Sequence, residues 1–290
     1  FLRQHISIAG GNRMKEIYVQ TASFSRELTE DFHGSLEKIA KAGYSGVELF
    51  NEIYGGYTAA GLKDYLASLG MVAIGAHVNI DNTEQQLDYL AEAGCKYVVC
   101  PGLRISSEDE ALKAAENLNL YGEKTKEYGM IYGYHNHHSD FHVFGGKRVI
   151  DILLENTDPQ KVTFEVDVGW VWRAGIDASE FISSYPGRFR LIHVKETSRV
   201  LGPEDDFGQL FRNVKRGPDG KPIFTPEQMK KLEEHRKINC KLGQGIINMP
   251  EIRRAADAQG AEAYIVEREY AYTGDIFTSL AEDLEYLRSI

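Results

Sequence analysis

At 290 residues, with 42% hydrophobic and 26% charged side chains, the chain has the make-up of a soluble globular protein, either one large α/β domain or two small ones. Its 33 basic and 43 acidic residues leave a formal charge of −10, which argues against a nucleic-acid backbone or an anionic membrane surface as the main partner. No apolar run of about 18 residues occurs, so no membrane-spanning helix is expected, and an odd count of 3 cysteines reads as reduced thiols of a cytoplasmic protein.

Residues 1–13 run into Gly10-Gly11-Asn12 and read as an N-terminal extension ahead of a fold occupying 14–290. From there short apolar runs alternate with longer amphipathic stretches. A strand is predicted at 16–21 and a helix at 31–42, with Leu36, Ile39 and Ala40 at helical spacing and Gly43 as C-cap. A strand at 46–50 precedes a helix at 59–69; a strand at 72–78 precedes a helix at 83–93; a strand at 97–100, broken by Pro101-Gly102, precedes a long helix at 107–128. Four more strands follow at 131–135, 163–167, 190–193 and 264–267, with helices at 147–156, 178–185, 250–259 and 277–289. Eight strand–helix units in a row predict parallel pairing and close naturally into a (β/α)8 TIM barrel, a single α/β domain. A doubly wound open sheet is the alternative. It calls for a glycine-rich phosphate turn after the first strand, where this chain has Ala22-Ser23-Phe24.

One stretch breaks the rhythm. After the seventh strand, residues 197–243 exceed what one helix needs and are rich in Lys, Arg, Asp, Gly and Pro, with a helix predicted at 226–237. An insertion following a barrel strand belongs over the active rim, as a lid or partner-binding element.

The last four strands each finish on a metal-type ligand: His135, Asp167, His193 and Glu267. Two imidazoles and two carboxylates can hold one divalent cation in a mixed N/O shell, and the C-terminal strand ends are where this fold carries its chemistry. A single such residue is more often a structural hydrogen-bonder, but four at successive strand ends point to a metal. His137, two residues beyond His135, faces the same way, so one of the pair is the ligand and the other meets substrate; His135 is the preferred ligand. Lys195 shares a strand face with His193 and reads either as an acid near the substrate oxygen or as a salt-bridge partner of Glu196. Glu48 and His77 end the second and third strands and are expected to hold substrate hydroxyls. Trp170 reads either as a wall against a sugar face or as core, and Arg199 in the insertion as a further substrate contact. Gly169 allows close backbone approach beside Asp167. Glu165 and Glu269 flank the ligands at spacing two, Glu269 standing in reserve for Glu267.

A cation with an open position can grip vicinal oxygens of a polyol and acidify the C–H beside a carbonyl. His137, Lys195 and Glu267 are the expected proton carriers. Returning the proton to a neighbouring carbon isomerises, returning it to the other face epimerises, and losing a β-oxygen substituent eliminates; this architecture supports all three.

The segments Gly133-Tyr134-His135-Asn136-His137, Glu165-Val166-Asp167-Val168-Gly169-Trp170, Tyr185-Pro186-Gly187-Arg188-Phe189, His193-Val194-Lys195-Glu196, Leu242-Gly243-Gln244-Gly245 and Val266-Glu267 resemble the xylose isomerase-like TIM barrels, the sugar phosphate isomerase/epimerase family. The resemblance covers the chain from Met14 to Ile290. It implies a metal held by Glu, Asp, His and Glu on the last four strands, hence Asp167, His193 and Glu267 here, with His135 departing from the first Glu. That departure weighs against a symmetric two-carboxylate epimerase. The implied activity is a divalent-metal-dependent sugar isomerase or epimerase, with Mn2+ expected first and Mg2+, Co2+ or Zn2+ as alternatives. The alternative is a lyase or dehydratase acting on a 3-keto-glycoside or inosose. A metal-dependent phosphodiesterase and an inactive sugar-binding subunit are further rivals. The expected partner is a small sugar or keto-glycoside without phosphate, since no glycine-rich anion loop is present; a homo-oligomer or a subunit over the rim would fit the insertion.

Overall fold

The computed structural model describes residues 15–202, 214–217, 222–272 and 274–290. The expected extension at 1–13, and residues 203–213 and 218–221 of the 197–243 insertion, lie outside the described residues. Eight parallel strands, β1 (Ile17–Gln20), β2 (Gly46–Phe50), β3 (Val72–His77), β4 (Tyr97–Cys100), β5 (Ile131–His135), β6 (Val162–Asp167), β7 (Phe189–Val194) and β8 (Ala263–Val266), pair in sequence, and β8 returns to β1 to close the barrel. The strands are almost wholly buried because helices cover their outer faces.

The surrounding helices are α1 (Ser25–Glu30), α2 (Phe32–Ala42), α3 (Ala59–Ser68), α4 (Thr83–Ala93), α5 (Glu108–Glu127), α6 (Val149–Asn156), α7 (Val168–Arg173), α8 (Ala178–Ser184), α9 (Pro226–Arg236), α10 (Met249–Gln259) and α11 (Ile276–Ser289). Their starts follow side-chain capping: Asp31, Thr58, Ser107 and Asp275 each accept a backbone N–H from the first turn that follows. Helix α6 begins two residues later than its apolar pattern suggests, because Lys147–Arg148 pairs with Val143–Phe144 in a small antiparallel ribbon. Helix α7 has no counterpart in the sequence reading. It forms because Asp167 Oδ1 accepts the Trp170 N–H at 2.9 Å, which caps the chain straight out of β6. Among the described residues no helix is long and apolar enough to cross a membrane, and Cys95, Cys100 and Cys240 are free thiols.

Beyond β7 the chain leaves the barrel and returns through α9, which starts on a Thr225–Gln228 capping box. The backbone of this insertion is tied to the barrel: Ser198 N–H donates to the Ile238 carbonyl at 2.8 Å, and Leu201 and Gly202 N–H donate to the Arg173 carbonyl at 2.9 and 2.8 Å. Glu196 is the anchor. Its buried carboxylate accepts N–H bonds from Thr197 (3.0 Å), Gly243 (3.1 Å) and Ile247 (3.2 Å), while burial still pushes its pKa up to about 7. Replacing Glu196 by Ala would strand three N–H groups, and a loss of about 3 kcal/mol is expected in urea unfolding; a loss below about 0.5 kcal/mol would show that the anchor is dispensable.

Candidate metal centre and cavity

The barrel interior is filled in tiers. At the N-terminal end Tyr18, Tyr97, Val99, Leu191, Ala263 and Ile265 form an apolar plug separate from the helix–sheet core. Two residues further along the same strands, on the same face, the lining turns polar: Gln20, His193 and Glu267. His77, Glu48, His135, Glu165 and Asp167 join them from the other strands. All except Glu267 are buried.

The outer group is His135, Asp167, His193 and Glu267, whose ligand atoms all lie within 4.8 Å of one another. His193 Nδ1 is 3.5 Å from Asp167 Oδ2 and 3.3 Å from Glu267 Oε2, and His135 Nε2 is 4.0 Å from Asp167 Oδ2. Bonds of about 2.1 Å to a shared ion place neighbouring donors roughly 3–4 Å apart, as found here. Asp167 Oδ2 and His193 Nδ1 are buried without a hydrogen-bond partner. Such orphaned atoms are costly unless a further group satisfies them, so the residues present fit a divalent cation. Burial disfavours charge on His193, yet Glu165, Asp167, Glu267 and Glu48 drive its pKa well up. The cluster is short of positive charge.

The inner group, His77, His135, Glu165 and His193, could also hold an ion on proximity alone, but two of its contacts are ordinary hydrogen-bond lengths. Glu165 Oε2 is 2.7 Å from His77 Nε2 and 2.8 Å from His135 Nδ1. Glu48 Oε2 accepts from Gln20 Nε2 at 2.8 Å and stands 3.2 Å from His77 Nε2 and 3.4 Å from His193 Nε2. Each outer imidazole thus has a carboxylate behind its second nitrogen: Glu165 behind His135, Glu48 behind His193. The hydrogen bond to Glu165 would fix the His135 tautomer with Nε2 left for an ion, whereas His193 Nε2 has only a 3.4 Å charge contact with Glu48 and no hydrogen bond. Burial and the neighbouring Glu48 raise Glu165 to about 7. Glu48, also pushed up by burial, is held at about 2 by His77 and His193. Strand bulges lie just before both inner carboxylates, between Val47 and Glu48 and between Phe164 and Glu165, where a bulge re-aims the side chain. Changing Glu165 to Gln is expected to weaken metal affinity about ten- to hundredfold, read by titration of the metal-free protein with Mn2+; unchanged affinity would remove Glu165 from the metal's support.

Lys195 is buried, with Nζ 2.8 Å from Glu267 Oε2, 3.0 Å from Glu269 Oε1 and 3.8 Å from Asp167 Oδ2. Its neighbour Glu196 points away to the insertion. Burial lowers the Lys195 pKa, but Glu267, Glu269 and Asp167 raise it further, so it stays an ammonium. Gly169 leaves the room: a Cβ there would sit 2.9 Å from Lys195 Cβ. Glu269 Oε2 in turn accepts from Asn239 Nδ2 at 2.8 Å, and Asn239 Oδ1 accepts from the buried Arg173 guanidinium. Arg173 and Lys195 both pack on the Trp170 ring, 4.4 and 4.7 Å from its centroid. The insertion therefore braces the ammonium through Asn239 and Glu269.

A cavity of about 340 Å³ opens above the outer group, lined by Gln20, Ala22, Phe50, Asn51, His77, Asn79, Pro101, His135, His137 and Glu267. His137 lies outside the metal quartet and faces this space, its ring centroid 5.0 Å from that of His135. Burial and the Lys195 charge pull its pKa down to about 4. Gly102 makes way for that ring, since a Cβ there would lie 2.9 Å from His137 Nδ1. His77 reaches the cavity, whereas Glu48 is sealed beneath His77 and His193 and does not line it. Trp170 is buried beside His137 and His138, with ring centroids 5.5 and 5.4 Å apart, and also stays off the cavity wall. Arg199 is exposed on the insertion, away from the lining residues. Gln20, Asn51, Asn79, Arg173 and Asn239 were not anticipated. Gln20 alone carried a signal, as the polar end of β1; the others depend on loops and on the insertion.

A family model for the xylose isomerase-like TIM barrel matches residues 36–290. An inosose dehydratase of Clostridium perfringens is 27% identical over 227 residues, spanning 67% of this chain and 76% of that protein. An inosose dehydratase of Lacticaseibacillus casei is 26% identical over 270 residues, spanning 83% and 82%. A solved sugar phosphate isomerase/epimerase from Parabacteroides distasonis is similar with a TM-score of 0.71 at 26% identity, covering 98% of this chain and 96% of its own.

Proposed function

Because the chain belongs to the xylose isomerase-like TIM barrel family, we propose that it is a divalent-metal-dependent enzyme that enolises a cyclic keto-polyol and expels a β-oxygen substituent, a carbon–oxygen lyase acting on an inosose or a 3-keto-glycoside. The observation that carries this reading is the division of proton-handling groups around the quartet of His135, Asp167, His193 and Glu267. His135 is engaged by Glu165 at Nδ1 and turned toward the ion at Nε2, so the position is not a free carboxylate base. A symmetric pair of carboxylates, suited to epimerising either face, is missing from these strand ends, while a neutral imidazole and a buried ammonium are both present. The sequence relatives named as inosose dehydratases support the same reaction class.

The residues divide the work as follows. His135, Asp167, His193 and Glu267 would hold a divalent ion, which when bound would supply the positive charge that makes a C–H beside a ketone more acidic. His137, neutral and facing the cavity, accepts that proton. Lys195, charged and braced by Glu269, stands behind Glu267 and off the cavity wall; through the Glu267 carboxylate, 2.8 Å away, it supplies the proton for the departing β-oxygen, which leaves as water or as an alcohol. The products are then an enone and that water or alcohol, and a proton passes from His137 back to Lys195 through solvent to close the cycle. His77 and Gln20 line the same space and orient the ring. Mn2+ is the first ion to try, with Mg2+, Co2+ and Zn2+ beside it, since a shell of two imidazoles and two carboxylates can accept each of them.

Isomerisation or epimerisation of a keto-sugar is the second reading, favoured by the near whole-chain likeness to the solved isomerase/epimerase. One experiment separates them. The Mn2+-loaded protein is incubated in heavy water with inososes, 3-keto-glycosides and keto-sugars. An ultraviolet-absorbing enone, with or without solvent deuterium in the recovered ketone, supports the lyase, and deuterated isomers without enone support the second reading. An absence of both exchange and enone with every compound and every metal would refute both.

A further inference from the structure

The metal quartet stands on β5 to β8, and the opposite wall of the cavity, built from the ends of β1 to β3, has a different chemistry. Phe50 ends β2, and the next two residues, Asn51 and Glu52, have φ of 54° and 56°, the only positive-φ residues other than glycine among those described. They form the centre of a turn closed by the Ile53 N–H on the Phe50 carbonyl at 3.4 Å. The left-handed region is unfavourable for a residue with a Cβ; Asn tolerates it best and Glu poorly. Backbone held there against its preference clusters at ligand sites, where the rest of the fold over-determines it. Asn51, placed by that turn, lines the cavity, and Asn79, just beyond β3, lines it too. Among the described residues neither side-chain amide has a hydrogen-bond partner within the protein. Each has two donors and an acceptor to offer. The described lining contains no Lys or Arg, so this wall presents amides, an aromatic ring and a proline instead of a counter-charge for an anion.

We propose that Asn51 and Asn79 are the specificity-determining residues of the cavity, reading the hydroxyls of an uncharged polyol ring whose ketone lies toward the quartet. Two amides with free donors and acceptors match neighbouring hydroxyls, each of which donates and accepts. The strained turn after β2 persists because it aims the Asn51 amide into the cavity. The ring's orientation rests on the enolisation reading above; the recognition of uncharged hydroxyls does not.

The test uses the Mn2+-loaded full chain and calorimetry with myo-inositol and methyl glucoside, polyol rings that lack the ketone, and with glucose 6-phosphate as an anionic counterpart. A neutral ring is expected to bind the wild type, and Asn51→Gly and Asn79→Ala are each expected to raise its Kd about three- to tenfold, as for one lost hydrogen bond. Asn51→Gly is expected to melt no lower than wild type. Glu52→Gly, which relieves the turn without touching the ligand, is expected to melt higher and to keep the wild-type Kd. Unchanged Kd in both Asn variants, tighter binding of the phosphate ester than of methyl glucoside, or no binding of either neutral ring would each overturn the proposal. The heavy-water experiment keeps the two ideas apart. Exchange by the wild type with unaltered KM in both Asn variants sinks the wall and spares the enzyme. Absence of both exchange and enone alongside weakened polyol binding in the variants sinks the enzyme and spares the wall.

Discussion

Replacing Asp167 by Asn is expected to cost the protein its divalent ion while leaving the barrel folded. The two oxygens of Asp167 have separate tasks. Oδ1 caps α7 through the Trp170 N–H at 2.9 Å, and an Asn side chain can accept that bond equally well. Oδ2 is buried, has no hydrogen-bond partner and faces His193 Nδ1 at 3.5 Å and His135 Nε2 at 4.0 Å. In the variant an amide either turns donors toward the cation or offers a neutral oxygen in place of a carboxylate. Metal affinity should fall by a hundredfold or more, beyond the roughly ten- to hundredfold typical of a supporting residue, and turnover should fall with it. The measurement is metal stoichiometry by elemental analysis, together with the melting temperature with and without added Mn2+. Wild-type protein should gain stability from Mn2+ by mass action and the variant should not. A variant that retains one equivalent of metal would show that Asp167 is no ligand and would take the quartet apart.

Replacing Lys195 by Met is expected to lower turnover about 10²–10⁴-fold, the usual contribution of a positioned acid, and to leave the metal bound. The ammonium sits among Glu267, Glu269 and Asp167 on one side and the Trp170 ring on the other. Met fills a similar volume, packs against the same indole and cannot donate a proton. Because Lys195 competes with the ion for Glu267 Oε2, the variant should hold Mn2+ at least as tightly as wild type. Without metal it should be less stable, since the half-buried Glu267 and Glu269 then lose the ammonium that lies 2.8 and 3.0 Å from them. Metal titration and metal-free melting read these two effects independently of any substrate. Near wild-type turnover with a good keto-polyol would remove Lys195 from the chemistry, and loss of metal would make it a structural counter-ion.

The division between what sequence and fold each contribute follows from how far apart the relevant residues lie along the chain. The alternation of strand and helix patterns, the glycines after helices and the four ligand types at four strand ends are local signals, so the closed barrel and the grouping of His135, Asp167, His193 and Glu267 were legible before any coordinates. The choice between His135 and His137 was not. Period-two alternation sends both the same way, and what sets them apart is Glu165 from the next strand, bonded to His135 Nδ1 at 2.8 Å, with Gly102 from a third loop clearing space for His137. Glu48 was expected to end its strand, but β2 runs on to Phe50, and the bulge before Glu48 and the His77 and His193 rings beside it place its carboxylate under the site instead of in the cavity.

The sequence by itself determined the element order, the barrel and the chemical types gathered at its mouth, because periodicity and capping act within a few residues and parallel strands of a closed barrel must finish on one rim. Only the tertiary structure decided which of those residues cluster closely enough to hold a cation, which lie beneath them and which look into the cavity. Those roles depend on distances of a few ångströms between strands, on bulges that turn one side chain, and on a turn at Asn51 and an insertion through Asn239 whose contacts lie far away in the chain. Such contacts leave no periodic trace in the sequence.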